Sequence, residues 1–163
     1  MRSSVTQSGR PAPREGVRIR RAVARDARRL TRLVQASRAY EGPYAPMVAG
    51  YRVGPDYIEA HRVFVAVEEA TGRLLGFYSL ILDPPELDLM FVADDVQGGG
   101  IGRLLAGHLL HEARQAGLTG VRIVSHPPAE GFYLSVGALR TGTERAAPPA
   151  VMWDRPELLL PVA

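Results

Sequence analysis

From Val17 to Val23 the chain alternates apolar and basic positions, which predicts a half-buried strand. Asp26 is placed to cap a following helix, in which Ala27, Leu30, Leu33 and Val34 recur at helical spacing on one face. From Tyr40 to Tyr57 this periodicity dissolves into Gly, Pro and Tyr, predicting a long loop with at most a short helix starting near Pro55-Asp56. Val63–Val67 and Leu74–Leu82 are β-rich runs joined by a turn around Thr71-Gly72, hence a hairpin. Asp83-Pro84-Pro85 breaks the chain, and Glu86–Ala93 follows as a strand. Simple alternation there puts Glu86, Asp88 and Met90 on one face and Leu87, Leu89 and Phe91 on the other.

A glycine-rich turn, Gln97 to Arg103, leads into a strongly amphipathic helix with the stripe Ile101, Leu104, Leu105, Leu109 and Ala113, ended by Gly117. Val121–Ser125 reads as a strand, Pro127-Pro128 as a turn, and Ala129–Val136 as a short helix ended by Gly137. Leu139–Glu144 and Glu157–Leu160 are candidates for two last strands around the irregular Ala146 to Arg155. The expected fold class is α/β, a single domain with a mixed, mostly antiparallel central sheet of about six to seven strands flanked by helices.

Composition narrows the picture. The chain has 163 residues, 46% hydrophobic and 23% charged, enough for one domain with a real core. Residues 1–16, rich in Ser, Gly, Pro and Arg, read as a disordered leader before a domain spanning 17–163. Residues 1–16 hold no apolar stretch, so they are not expected to be a secretory signal, and no apolar run approaches the roughly 20 residues a membrane span needs. Cysteine is absent, which excludes a disulfide scaffold, a thiol nucleophile and a thiolate metal site. A cytoplasmic protein without a membrane partner is expected. All 20 basic residues are arginine, as in a GC-rich bacterial genome, and ten of them precede position 33. No aromatic residue is interleaved with them before Tyr40, so stacking platforms for a single strand are missing and nucleic acid is not the expected partner.

A strand, a glycine-rich turn and a helix make a device for gripping phosphate. The first helical N–H groups lack intrahelical partners, and glycine lets the backbone approach an anion and adopt positive φ. The Walker pattern needs a lysine, which this chain lacks, and the dinucleotide fingerprint fails at Arg103 and Leu105. What fits is Gln-x-x-Gly-x-Gly, with Gln97, Gly100 and Gly102. With it, and with Ala129-x-x-Phe132-Tyr133-x-x-x-Gly137-Ala138 about thirty residues on, the chain resembles the GNAT superfamily of acyl-CoA-dependent N-acetyltransferases. The order of elements from Val17 to about Leu160 resembles that family as well. Three positions depart from the common pattern: Gly99 where a basic residue is frequent, His126 where asparagine is frequent, and Gly137-Ala138 where many members have Gly-Phe.

The resemblance implies acetyl-CoA as co-substrate. Its binding residues would be Gln97, Gly98, Gly99, Gly100, Ile101, Gly102 and Arg103 at the pyrophosphate, His126 and Tyr133 farther along, and a backbone N–H near Phe91-Val92 polarising the thioester carbonyl. Transfer to an amine also needs a group that takes a proton, because free alkylamines have pKa values near ~10.4. Glu86 and Asp88 are candidates from their placement on one strand face, and some family members place a glutamate where Glu86 stands, eleven positions before Gln97. Tyr133 is implied as the general acid for the departing thiolate. The Tyr40–Tyr57 segment falls where the family builds the acceptor side, so Tyr40, Tyr44 and Tyr51 are candidate substrate-binding residues.

The expected activity is N-acetylation of a primary amine on a small molecule by direct attack. Two alternatives stay open: a non-catalytic CoA-binding regulatory module, and an acetyltransferase acting on protein amines. A homodimer is also open, since family members often dimerise. No metal is expected: His108 and His111 lie three apart, but no further ligand is evident. Ser125-His126 fits no hydrolase motif, and Trp153 reads as a core or interface aromatic.

Overall fold

A computed structural model describes residues 15–40 and 42–162. Residues 1–14 of the expected leader, Glu41 and Ala163 lie outside them. Seven strands form one sheet: β1 (Val17–Arg21), β2 (Arg62–Glu68), β3 (Leu74–Leu82), β4 (Pro85–Val92), β5 (Gly120–Val124), β6 (Leu139–Glu144) and β7 (Arg155–Pro161). Their order is β1-β2-β3-β4-β5-β7-β6, antiparallel except for the parallel β4–β5 pair. The helices are α1 (Ala27–Gln35), α2 (Pro46–Ala49), α3 (Pro55–Ala60), α4 (Ile101–Gln115) and α5 (Glu130–Ser135). This is the mixed, mostly antiparallel architecture that the alternation pattern predicts.

Two apolar clusters cover the two faces. Helix α4 packs Ile101, Leu105, Leu109 and Ala113 against Tyr78, Leu80, Val121, Ile123, Leu158 and Leu160. Its buried stripe includes Ala106, whereas Leu104 is only half-buried, one residue off the expected set. On the opposite face Leu30 and Val34 of α1, Val48 of α2 and Ile58 of α3 pack over Val63, Val65, Phe77 and Phe91. The Tyr40–Tyr57 segment is thus more ordered than its sequence suggests. Proline at the start of both α2 and α3 pre-sets the helical φ, and Val48 and Ile58 supply the buried anchors.

Two local readings differ from the sequence expectation. Asp26 does not cap α1; its carboxylate turns back and accepts from the Val23 N–H at 2.8 Å, Arg20 at 2.9 and 3.1 Å, and Arg29 at 3.0 Å. The alternation along β4 also breaks. Ser79 pairs with Leu89 but Leu80 pairs with Leu87, so Asp88 is one extra residue, a β-bulge. Leu87 therefore packs with the α4 face, while Leu89 and Phe91 pack with the α1–α3 face, and the expected single face for all three is lost.

Candidate active site

Strands β4 and β5 pair through only two positions, Glu86 with Arg122 and Leu87 with Ile123. Beyond them β4 has no strand on that side, and the chains part into a cleft of about 600 Å3. One wall is β4 from Leu87 to Val92; the other is Ile123 to His126 with Phe132 and Tyr133 from α5; the glycine turn closes one end.

That turn has Gly98 at φ +81° and Gly100 at φ +88°, in the left-handed region where a side chain would be strained. The first bond of α4 is Leu104 N–H to Gly100 O at 3.0 Å, so the N–H groups of Ile101, Gly102 and Arg103 precede it at the positive end of a fifteen-residue helix. Gly102 must be small: a Cβ there would lie 3.1 Å from the Phe132 ring. Gln97 does not reach into the cleft alone; its amide donates to the Val92 carbonyl at 3.0 Å and ties the turn to the end of β4. Arg103, exposed, reaches Ser135 Oγ at 3.4 Å. An anion with flexible apolar length suits this arrangement, so the residues present fit a pyrophosphate-bearing acyl carrier. Of the expected cofactor set, Phe91, Val92, Gln97, Gly98, Gly100, Ile101, Gly102, Arg103, His126 and Tyr133 line the cleft, and Gly99 sits in the turn without lining it.

The mouth is bridged by a strap. The Arg38 N–H donates to Asp94 at 3.0 Å, and His126 Nε2 donates to the Ala39 carbonyl at 2.6 Å. Tyr40 then lies between the walls, stacked on His126 at 3.9 Å between centroids and on Phe91 at 5.7 Å. Burial pushes the Tyr40 phenol up to about 12, with the Arg155 charge opposing it. Burial also holds the His126 imidazole below its ordinary value, against the contact with Ala39, so the ring is neutral with Nδ1 as an acceptor. Tyr44 packs edge-on against His126 at 4.6 Å and Trp153 at 4.7 Å, behind the lining. Tyr51 packs with the α1–α3 cluster, and its phenol is raised by burial and by the Asp88 charge. Of the three tyrosines expected on the acceptor side, only Tyr40 lines the cleft.

Asp88, displaced by the bulge, is exposed and lines the cleft. It accepts a short hydrogen bond from Tyr57, whose hydroxyl is 2.7 Å from the buried Ser79 Oγ. Burial first, then the bond to Asp88, raises the Tyr57 phenol, so Tyr57 stays a donor. Sequence reading missed Tyr57 as a site residue: the bond to Asp88 joins positions 31 apart. Glu86 is not among the lining residues. It lies 3.7 Å from Arg122, which also holds Glu144 at 3.0 Å and Glu157 at 2.6 Å. Burial raises the Glu86 carboxyl, Arg122 lowers it, and Asp88 raises it further. Tyr133 is 9% exposed, and burial, followed by the neighbouring Tyr40, raises its phenol well above the ordinary value.

The sequence profile of the family described as "Acetyltransferase (GNAT) domain" matches residues 52–147, more than half of the chain and the whole of β2 to β6. The chain belongs to the GNAT acetyltransferases. A mycothiol acetyltransferase from Tsukamurella paurometabola is 35% identical over 82 residues, covering 44% of this chain and 28% of that protein, so the chain matches less than a third of its length. Among solved structures, a GCN5-related N-acetyltransferase from Rhodopseudomonas palustris superposes with a TM-score of 0.78 at 17% identity, covering 93% of this chain and 99% of that one. N-acetylglutamate synthase from Neisseria gonorrhoeae, solved with coenzyme A and N-acetyl-glutamate, gives 0.70 at 19% identity over 93% of this chain and 36% of that one. GNAT acetyltransferases are acyltransferases that use acetyl-CoA, and the Neisseria gonorrhoeae structure holds coenzyme A. Among the described residues no helix is long and apolar enough to cross a membrane, and no group of His, Asp and Glu could hold a metal. His108 is engaged elsewhere, with Nδ1 at 2.8 Å from the Tyr78 hydroxyl.

Proposed function

We propose that this GNAT acetyltransferase moves an acetyl group from acetyl-CoA to a primary amine of a small molecule by direct attack, with Asp88 as the base and Tyr133 as the acid. The observation that carries this reading is the bulge at Asp88. It turns a carboxylate into the cleft at the level where β4 and β5 part, with Tyr133 lining the same cleft from α5.

Acetyl-CoA, when bound, supplies an activated acyl group as a thioester. The helical N–H groups of Ile101, Gly102 and Arg103 and the turn at Gly98–Gly100 would hold its pyrophosphate. Backbone N–H groups of β4 near Phe91-Val92, on the edge without a strand partner, would face the carbonyl oxygen. Asp88 takes the proton that makes the incoming amine nucleophilic. Tyr133 stays protonated at neutral pH because it is buried, and gives its proton to the leaving sulfur. Tyr40, clamped on His126 and Phe91, excludes water over the reacting atoms. Glu86 balances Arg122 beside the site and is not assigned the proton transfer.

The strap from Arg38 to Tyr40 favours a small acceptor over a protein chain, because it spans the cleft at its mouth. Thiol release from acetyl-CoA over a panel of primary amines, beside calorimetric binding of acetyl-CoA, tests the reading. Binding with amine-dependent thiol release is expected. Binding without release for any small amine would favour a regulatory module or a protein acceptor, and no binding at millimolar ligand would remove the reading.

A further inference from the structure

Among the described residues three buried side-chain nitrogens lack a hydrogen-bond partner: His126 Nδ1, Trp153 Nε1 and Arg155 Nε. Leaving a buried polar group unmatched costs about 1–3 kcal/mol, and folded proteins carry few of them. These three fall in one corner. Tyr44 touches both the Trp153 and the His126 rings. Arg155 starts β7 beside Pro156, whose carbonyl accepts the Ser125 N–H at 2.9 Å, so it stands across from His126.

Face and charge say what the corner takes. Leu158 and Leu160 of β7 go into the α4-side core with Val121 and Ile123, so Arg155 and Glu157 point to the other face, that of Arg122. On β5 and β7 two guanidiniums share that face, and they are treated differently. Arg122 is matched by Glu86, Glu144 and Glu157. Arg155 makes no ion pair among the described residues; strand register sets it next to His126, directly behind the cleft wall, and its charge favours the ionisation of both Tyr40 and Glu86. His126 Nδ1, an acceptor in the neutral ring, has no part in holding an anion, whereas the guanidinium and the indole N–H are donors only and suit a planar oxyanion. The three carboxylates around Arg122 would repel a dianion more than a monoanion, which selects a carboxylate over a phosphate.

We infer that Arg155 and Trp153 form a carboxylate-binding subsite, and that the acceptor is an amino acid or another amino-carboxylate whose amine lies toward Asp88. The subsite rests on the acetyl-transfer reading and adds the acceptor class to it.

The test compares amino acids with their carboxamides and with the amines lacking the carboxyl, by thiol release from acetyl-CoA in wild type, Arg155→Gln and Trp153→Phe. In wild type the acid is expected to exceed its amide by roughly ten- to hundredfold in kcat/KM, the range of a charge-assisted pair. Arg155→Gln should remove that preference through the acceptor KM, leave the acetyl-CoA KM unchanged and melt like wild type; Trp153→Phe should reduce it in part. Calorimetry of N-acetylated amino acids and their amides on the CoA-loaded protein reads the same preference without turnover. Equal or better use of the amide, or discrimination that survives Arg155→Gln, would overturn the subsite and leave acetyl transfer standing. Failure to bind acetyl-CoA, with no thiol release for any acceptor, would overturn both.

Discussion

The Tyr57 hydroxyl, on α3, donates to the Asp88 carboxylate, and the same oxygen stands 2.7 Å from Ser79 Oγ. With Tyr57 donating to Asp88, Ser79 is the donor to Tyr57, and the three groups form a chain polarised toward the carboxylate. Such a chain fixes the rotamer of an otherwise exposed side chain. Asp88→Asn keeps the shape and removes the proton acceptor; kcat/KM for the amine should fall on the order of 10²–10⁴-fold. Tyr57→Phe should cost less, about tenfold, by freeing Asp88 to rotate. Acetyl-CoA binding measured by calorimetry should be unchanged in both. Near-normal turnover in Asp88→Asn would move the base to another residue.

Tyr133→Phe should lower kcat by more than roughly tenfold with little change in acetyl-CoA affinity. The ring already fills its place beside Phe132, at 5.3 Å between centroids, so the phenylalanine should pack without a cavity. Single-turnover rates in the variant would show the loss in the chemical step; wild-type rates would leave Tyr133 as a packing residue.

Two glycines should separate binding from stability. Gly100→Ala forces a side chain to φ +88° in the turn but meets no atom within 4 Å, so about 1–2 kcal/mol of backbone strain should appear mainly as weaker acetyl-CoA binding. Gly76→Ala would put a Cβ 2.7 Å from the Phe91 carbonyl oxygen, in the middle of the β3–β4 ladder. It should destabilise the fold by about 3 kcal/mol, seen as a lower Tm without ligand. Equal melting temperatures for the two variants would contradict this division.

Asp26 sets an acid limit on stability. Burial acts to raise its carboxyl, but the hydrogen bonds from Arg20, the Val23 N–H and Arg29 outweigh it and hold the group at about 2. A folded pKa below the unfolded one gives stability that is complete above pH ~4 and is lost as pH falls toward ~2, in all about 2 kcal/mol. Asp26→Asn should therefore lower the unfolding free energy by about that amount at neutral pH, with the gap to wild type closing as acid is added. Denaturant titrations at several pH values read it directly, and a gap that stays constant with pH would refute the electrostatic origin.

The parts of the site that were legible in the sequence are those coded locally. Gln97, Gly100 and Gly102 sit within six residues and mark the turn by conformation alone, and the α4 stripe follows from helical spacing. Tyr133, which lines the cleft, is reached through the family resemblance of the Ala129–Ala138 stretch and not from spacing. The bulge at Asp88 was not, because it arises from the pairing of β4 with Ser79 and Leu80 rather than from the composition of β4 itself. Tyr57 and Arg155 were hidden for a related reason: one is defined by a partner 31 positions away, the other by lacking a partner that its neighbour Arg122 has in excess. Tyr44 and Tyr51 share the segment of Tyr40, and a loop sequence does not reveal which ring faces inward.

The sheet is whole by topology but not by mechanics. Its first four strands and its last three are joined through two register positions, Glu86–Arg122 and Leu87–Ile123, so they behave as two plates riveted at one end. A molecule that fills the open seam becomes a structural member, carrying load between the plates that no strand carries there. A first substrate seated in that seam would form the wall against which the second is aligned, so ordered addition is the pattern expected in initial-rate and product-inhibition kinetics.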